Sequence, residues 1–170
     1  MSHHTPPAIQ DRYPEDVSHC YGCGSLNEQG HQLKTVIEGD ETVSVYTPRP
    51  WHTAIPGYVY GGLIASLIDC HGTGTAAAAA ASRGAGSGLA LDPAVLAGGR
   101  PLPRFVTGRL EVSYRRPTPL GPPLEVRGRV RECGDRKVIV DITLAADGQV
   151  TAEGVVLAVR MPEHLAPATG

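Results

Sequence analysis

Tyr60-Gly-Gly-Leu-Ile-Ala-Ser-Leu-Ile-Asp-Cys-His71, running on through Gly-Thr-Gly-Thr into six consecutive alanines at 76–81, is the stretch that decides the fold. Leu63, Ile64, Leu67, Ile68 and His71 recur at the i, i+1, i+4, i+5, i+8 spacing of one helical stripe, and the alanine run keeps helix propensity high. The spacing predicts one long helix over 60–83. Glycines at 61, 62, 72 and 74 weaken it intrinsically, so packing must hold it. It is apolar nearly all round, and such helices are buried. Small side chains suit close contact with a sheet.

Outward from this helix the chain reads as β-structure. Before it, residues 33–47 form two short strands around the turn Glu38-Gly39-Asp40-Glu41, and Pro48, Pro50 and Pro56 then impose an irregular loop through Trp51 and His52. After it, the glycine-rich stretch 84–103 reads as a surface loop with a short helical turn at 92–97. Four alternating segments follow, at 105–116, 124–132, 137–145 and 150–161, and Asp147-Gly148 is the strongest hairpin signal among them. In the first, alternation sets Val106, Leu110, Val112 and Tyr114 on one face and Thr107, Arg109, Glu111 and Ser113 on the other. Helix and strands are segregated, which argues for an α+β domain with an antiparallel sheet of five or six strands wrapped around one long central helix. Val155, Leu157 and Val159 are as apolar as Val156 and Ala158, so the last strand is expected to be covered on both faces, partly by another subunit. Residues 1–18 read as a flexible arm, 19–162 as a single domain and 163–170 as a tail.

The 170 residues carry 15 Lys and Arg against 17 Asp and Glu, a net charge of −2. This near-neutral balance, with only 5% aromatic residues, excludes a basic or base-stacking nucleic-acid binder. No segment has the roughly 20 apolar residues of a membrane span, and no apolar signal core follows the amino terminus. With four cysteines and no signal sequence, the expected compartment is the cytoplasm, with free thiols.

The chemistry concentrates around Asp69, the lone acid, with no Lys or Arg beside it, in the 23 residues from Trp51 to Thr73. An ionised carboxylate on a buried helix costs several kcal/mol unless paired or hydrogen-bonded. It therefore reads either as a catalytic acid–base group or as one partner of a structural ion pair with an arginine of the sheet. At the helix start, Gly61 and Gly62 either allow close backbone packing or present unshielded N–H groups at the positive end of the helix dipole, where an oxyanion is stabilised. Eight residues of helix separate Gly61 from Asp69, about 12 Å. A base and oxyanion donors must both act within about 3 Å of one reacting centre. One chain cannot meet that demand, whereas two antiparallel helices across a twofold axis can, which makes any such enzyme a homodimer with composite sites.

Tyr60 to Asp69, followed downstream by Val106-Thr-Gly-Arg-Leu-Glu-Val-Ser-Tyr-Arg-Arg-Pro-Thr-Pro-Leu120, resembles the hotdog-fold acyl-CoA thioesterases of the phenylacetate-pathway and human thioesterase-superfamily type. The resemblance covers most of 19–161 and includes the lead-in Cys20-x-x-Cys23-Gly with Asn27-x-x-Gly30. It implies a hotdog fold and a homodimer, with dimers pairing further in some members. It implies hydrolysis of acyl-CoA to free acid and CoA with no cofactor, the CoA belonging to the substrate. Residue by residue, the resemblance makes Gly61 the oxyanion donor, with Gly62 the lesser candidate. Asp69 becomes general base or nucleophile, and Thr107 the polar residue opposite it. The family's motif begins His-Gly-Gly, and this chain has Tyr60 at the first position, a substrate-binding candidate that can still supply a hydroxyl beside an unaltered glycine amide. In the preceding loop the family often has Asn or Gln to position the thioester; here Ala54 or its neighbours fall there, so His52 or Thr53 would have to substitute. A non-hydrolytic acyl-CoA-binding hotdog protein is the competing reading. A hydratase on this fold is disfavoured, because no Asp-x-x-x-x-His pattern occurs near the helix start.

Three further signals stand apart. Residues 100–137 are rich in arginine, and Arg127, Arg129 and Arg131 share one strand face. That face either receives CoA phosphates or is an ordinary solvated surface. Cys20-Tyr-Gly-Cys23, with His19 and His31 nearby, invites a zinc reading, but no second cysteine pair follows, so no metal is expected. Cys70 is expected as a small core residue, and His71 as a packed core histidine.

Overall fold

A computed structural model describes residues 6–84 and 91–167. Its elements are strands β1 (Val36–Glu38) and β2 (Glu41–Tyr46), helices α1 (Gly61–Gly84) and α2 (Ala94–Ala97), and strands β3 (Phe105–Tyr114), β4 (Leu124–Cys133), β5 (Lys137–Ala146) and β6 (Gln149–Arg160). The strands form one sheet in the order β1-β2-β4-β5-β6-β3, with every neighbour antiparallel. Two turns need left-handed backbone and have residues that tolerate it: Gly39 between β1 and β2, and Asp147-Gly148 between β5 and β6. This is the hotdog architecture, a sheet of six strands wrapped around a helix of 24 residues.

Helix α1 lies along the concave face of the sheet. Leu63, Ile64, Leu67, Ile68 and the alanines from Ala76 to Ala79 are buried there against Leu124, Val126, Val140, Ile142, Val156 and Ala158. Two glycines set how closely the layers meet. A Cβ on Gly72 would lie 2.6 Å from the Val156 side chain, and one on Gly128 2.8 Å from the His71 ring. His71 is fully buried over Gly128, with Thr42 Oγ1 at 2.9 Å from Nε2 and Ser44 Oγ at 2.8 Å from Nδ1. Burial pushes its pKa down to about 3, so the ring is a neutral, hydrogen-bonded core group.

Three features differ from the sequence reading. Residues 6–18 are docked, not a free arm: Ile9 and Gln10 are buried, the Ile9 N–H donates to the Thr35 carbonyl and the Gln10 amide bonds Thr35. The stretch expected as a surface loop sends Leu91, Leu96 and Leu102 into the core, while 85–90 lie outside the described residues. On β6, Val156 and Ala158 are buried under the helix, but Val155, Leu157 and Val159 stay half-exposed on the outer face of the single chain.

A fourth difference, in the register of one strand, positions the site. The register between β3 and β6 shifts between Thr107 and Arg109, a bulge at Gly108. Thr107 pairs with Ala158, a helix-facing residue, and after the bulge Leu110 pairs with Val156, also helix-facing. Simple alternation puts Thr107 on the outer face with Arg109. The extra residue turns it inward instead.

Candidate active site

Asp69 sits two turns into α1, half-buried, and Thr107 reaches it from β3. The Thr107 hydroxyl donates a hydrogen bond to Asp69 Oδ1. Burial raises the carboxyl above its ordinary range; the Thr107 bond and the Arg104 charge pull the other way, and Cys20 adds to the rise. No salt bridge to Asp69 occurs among the described residues. Of the two readings open for this acid, the arginine pair is not what the structure contains.

At the other end of the segment, α1 begins at Gly61, whose N–H, like that of Gly62, has no acceptor within the helix. The preceding amide is engaged, since Tyr60 N–H donates to the His52 carbonyl at 3.1 Å. Gly61 opens onto a surface depression shared with Val59, Ile64, Tyr114, Arg116 and Thr118. The Tyr114 hydroxyl donates to the Gly61 carbonyl at 2.8 Å, and a Cβ on Gly61 would lie 3.2 Å from it. Sequence reasoning filed Tyr114 with the apolar face of its strand and missed it here. A single chain thus holds the acid and the free amides on one continuous helix, eight residues apart, and does not bring them together.

Tyr60 is part-exposed beside this helix start, while His52 is buried. The His52 ring lies 6.3 Å from the Tyr60 ring and 5.2 Å from His31, and its Nδ1 accepts the Arg49 N–H at 3.1 Å. Burial, followed by the Arg49 charge, holds His52 below the ordinary imidazole range. Its side chain backs the tyrosine rather than opening to solvent.

The arginine face is built differently from a phosphate receptor. Arg127 pairs with Glu38, Glu41 and Glu125, Arg129 with Asp40 and Glu41, Arg131 with Asp141, and Arg115 with Glu153. Carboxylates already occupy these forks, which favours the solvated-face reading of the row over the CoA-phosphate one.

Beside Asp69 the fold assembles a group that the sequence only half disclosed. The sulfurs of Cys20, Cys23 and Cys70 all lie within 4.8 Å of one another. Cys70 completes this group, and neither His19 nor His31 belongs to it. The Cys20 thiol is drawn well below the ordinary thiol range by Cys23, then Cys70, and by the amides of Cys23 and Gly22; the Cys70 thiol is pushed up by its hydrogen bonds with Cys20 and Cys23 and then by burial.

Among the described residues no helix is long and apolar enough to cross a membrane. The family model of the thioesterase superfamily matches residues 56–153. A thioesterase superfamily protein from Shewanella loihica PV-4 is 45% identical over 85% of this chain and 96% of its own, with a TM-score of 0.62. The Escherichia coli PaaI protein from the phenylacetic acid degradation operon shares 16% identity over 78% of this chain and 81% of its own, with a TM-score of 0.54. The smu.793 protein of Streptococcus mutans UA159, solved bound to acetyl CoA, shares 18% identity over 76% and 88%, with a TM-score of 0.52. No curated protein matches the chain.

Proposed function

The chain belongs to the thioesterase superfamily, and we propose that it hydrolyses acyl-CoA thioesters to free acid and CoA in sites that two copies of the chain complete together. The observation that carries this reading is the Asp69 carboxylate, half-buried, held by the Thr107 hydroxyl and free of any cationic partner among the described residues. A carboxylate kept from salt-bridging retains its basicity. Hydrolysis then needs water, the acid and a place for the oxyanion. Asp69 takes a proton from water as the new carbon–oxygen bond forms at the thioester carbonyl. Negative charge develops on the carbonyl oxygen and is held by the N–H of Gly61 from the other subunit, with Gly62 beside it. Collapse of the tetrahedral intermediate breaks the carbon–sulfur bond, and the CoA thiolate takes up the proton. Direct attack by Asp69, giving a transient anhydride that water opens, uses the same groups; heavy oxygen entering Asp69 in a single turnover distinguishes it.

The same geometry supports a homodimer. Strand β3 is an edge strand of ten residues, paired only with β6, and it bears Thr107. Edge-to-edge pairing of two such strands would cover this edge and lay a second helix beside the first. Tyr60, at the mouth of the helix start, then contacts the substrate, backed by His52. The acetyl-CoA held by the Streptococcus mutans protein supports a CoA thioester as ligand.

Release of free thiol from a panel of acyl-CoAs tests the proposal. Turnover by the native chain, lost in Asp69→Asn, supports it. Saturable acyl-CoA binding with no turnover in the native chain overturns it in favour of a binding protein.

A further inference from the structure

We infer that Cys20, Cys23 and Cys70 form a zinc site that clamps the lead-in loop to helix α1. The three sulfurs converge although 50 residues separate Cys20 from Cys70, and the Cys20–Cys70 distance is 3.8 Å. Tetrahedral zinc with Zn–S bonds of about 2.3 Å sets its sulfurs about 3.8 Å apart. The loop is shaped for this approach. A Cβ on Gly22 would strike the Cys70 sulfur at 2.2 Å, and one on Gly24 would strike the Cys20 carbonyl oxygen at 2.6 Å, so both glycines are required by the seating of the Cys20-Tyr-Gly-Cys-Gly turn. The Gly24 N–H closes that turn onto the Cys20 carbonyl at 2.7 Å, and Leu33 N–H fixes it through the Gly22 carbonyl at 3.0 Å.

Charge balance gives the second argument. Arg104 places Nη2 at 3.9 Å from the Cys23 sulfur, over the Tyr13 ring, and its buried Nη1 has no hydrogen-bond partner among the described residues. A buried guanidinium calls for a neighbouring negative charge. Three thiolates with one zinc ion carry a net charge of −1, which Arg104 neutralises. Cys20 and Cys23 are brought by the loop and Cys70 by the helix, so the metal would tie together two segments that otherwise meet through apolar packing and the Cys20–Cys70 contact. The half-exposed Cys20 side leaves the fourth position to water. The inference is independent of the hydrolytic reading, since the ion's role is structural.

Cobalt(II) titration of the reduced, metal-free full-length protein tests it. The expected result is one equivalent per chain, with the sulfur-to-cobalt charge-transfer band and intense visible bands of tetrahedral thiolate coordination, both displaced by zinc. Cys20→Ser, at the half-exposed position, should lose the band while far-ultraviolet circular dichroism stays native, and Cys133→Ser should keep it. Absence of the band in reduced, folded native protein overturns the inference. So does an unchanged band in Cys20→Ser.

Discussion

Thr107, on the last residue before the β3 bulge, donates its hydroxyl to Asp69 Oδ1, on the helix that the strand crosses. The bond fixes the carboxylate's rotamer and leaves Oδ2 for water. Asp69→Asn keeps the shape and removes the base, so kcat should fall by about 10²–10⁴. Thr107→Val should cost roughly tenfold, the worth of one hydrogen bond to a charged group, and Thr107→Ser should recover most of it. Steady-state kinetics on one acyl-CoA check all three; equal rates for Val and Ser at 107 would show that the hydroxyl does not matter.

The oxyanion role of Gly61 can be separated from its size. Proline is tolerated at the first helical position, where it deletes the N–H without breaking a helix bond. Gly61→Ala places the same Cβ against Tyr114, at 3.2 Å from its hydroxyl, yet keeps the amide. The proline variant should lose about 10²–10³ in kcat while the alanine variant loses far less. Similar losses in both would place the effect in packing against Tyr114.

The helix, the strands and the Asp147-Gly148 hairpin were legible because each rests on local periodicity or turn chemistry. Asp69 stood out because it was the lone acid in a long apolar stretch. The inward turn of Thr107 was not legible by alternation, since a bulge at Gly108 shifts phase without leaving a pattern of its own; the family resemblance, not periodicity, pointed to it. Cys70 could not be joined to Cys20 and Cys23 for a different reason. A contact across 50 residues depends on how a loop seats on a helix, and Gly22, the residue that permits it, looks like any turn glycine. Ile9 and Leu102 were misplaced in segments whose proline and glycine content suggested loops, although irregular backbone can still deliver single apolar side chains to a core.

Gly128 leaves room in the sheet for the His71 ring. A methyl group there would meet His71 Nε2 and Thr42 Oγ1, both at 2.8 Å and both buried. The ring is held by Thr42 and Ser44 and cannot swing aside without breaking both of its own hydrogen bonds. Gly128→Ala should therefore destabilise the fold by about 1–3 kcal/mol. Urea unfolding followed by circular dichroism would read this as a lower midpoint at unchanged slope.

Glu41 gives the sheet edge an acid-sensitive joint. Burial raises its carboxyl, but hydrogen bonds from Arg127 and then Arg129 outweigh this and hold it below the ordinary glutamate range. A depressed folded-state pKa means stability that is present above about pH 4.3, the unfolded value, and is lost as pH falls through the folded one. Glu41→Gln should cost up to about 1 kcal/mol at neutral pH, given the solvent around Arg129. The native and Gln chains should converge in urea midpoint as pH drops below the carboxylate range. A gap that persists in acid would assign the effect to shape instead of charge.

Two inactive variants offer the decisive test of a shared site. In a composite dimer, Asp69→Asn and Gly61→Pro damage different halves of each pocket. A mixed dimer then holds one site with both defects and one with Asp69 from the proline chain facing an intact Gly61 from the other. Random reassortment of equal amounts makes half the dimers mixed, so about a quarter of native activity should return. If each chain instead worked alone, every site would keep its own lesion and mixing would restore nothing. Mixing after mild unfolding and refolding, with thiol release measured against each parent refolded alone, separates these outcomes without any knowledge of the acyl group.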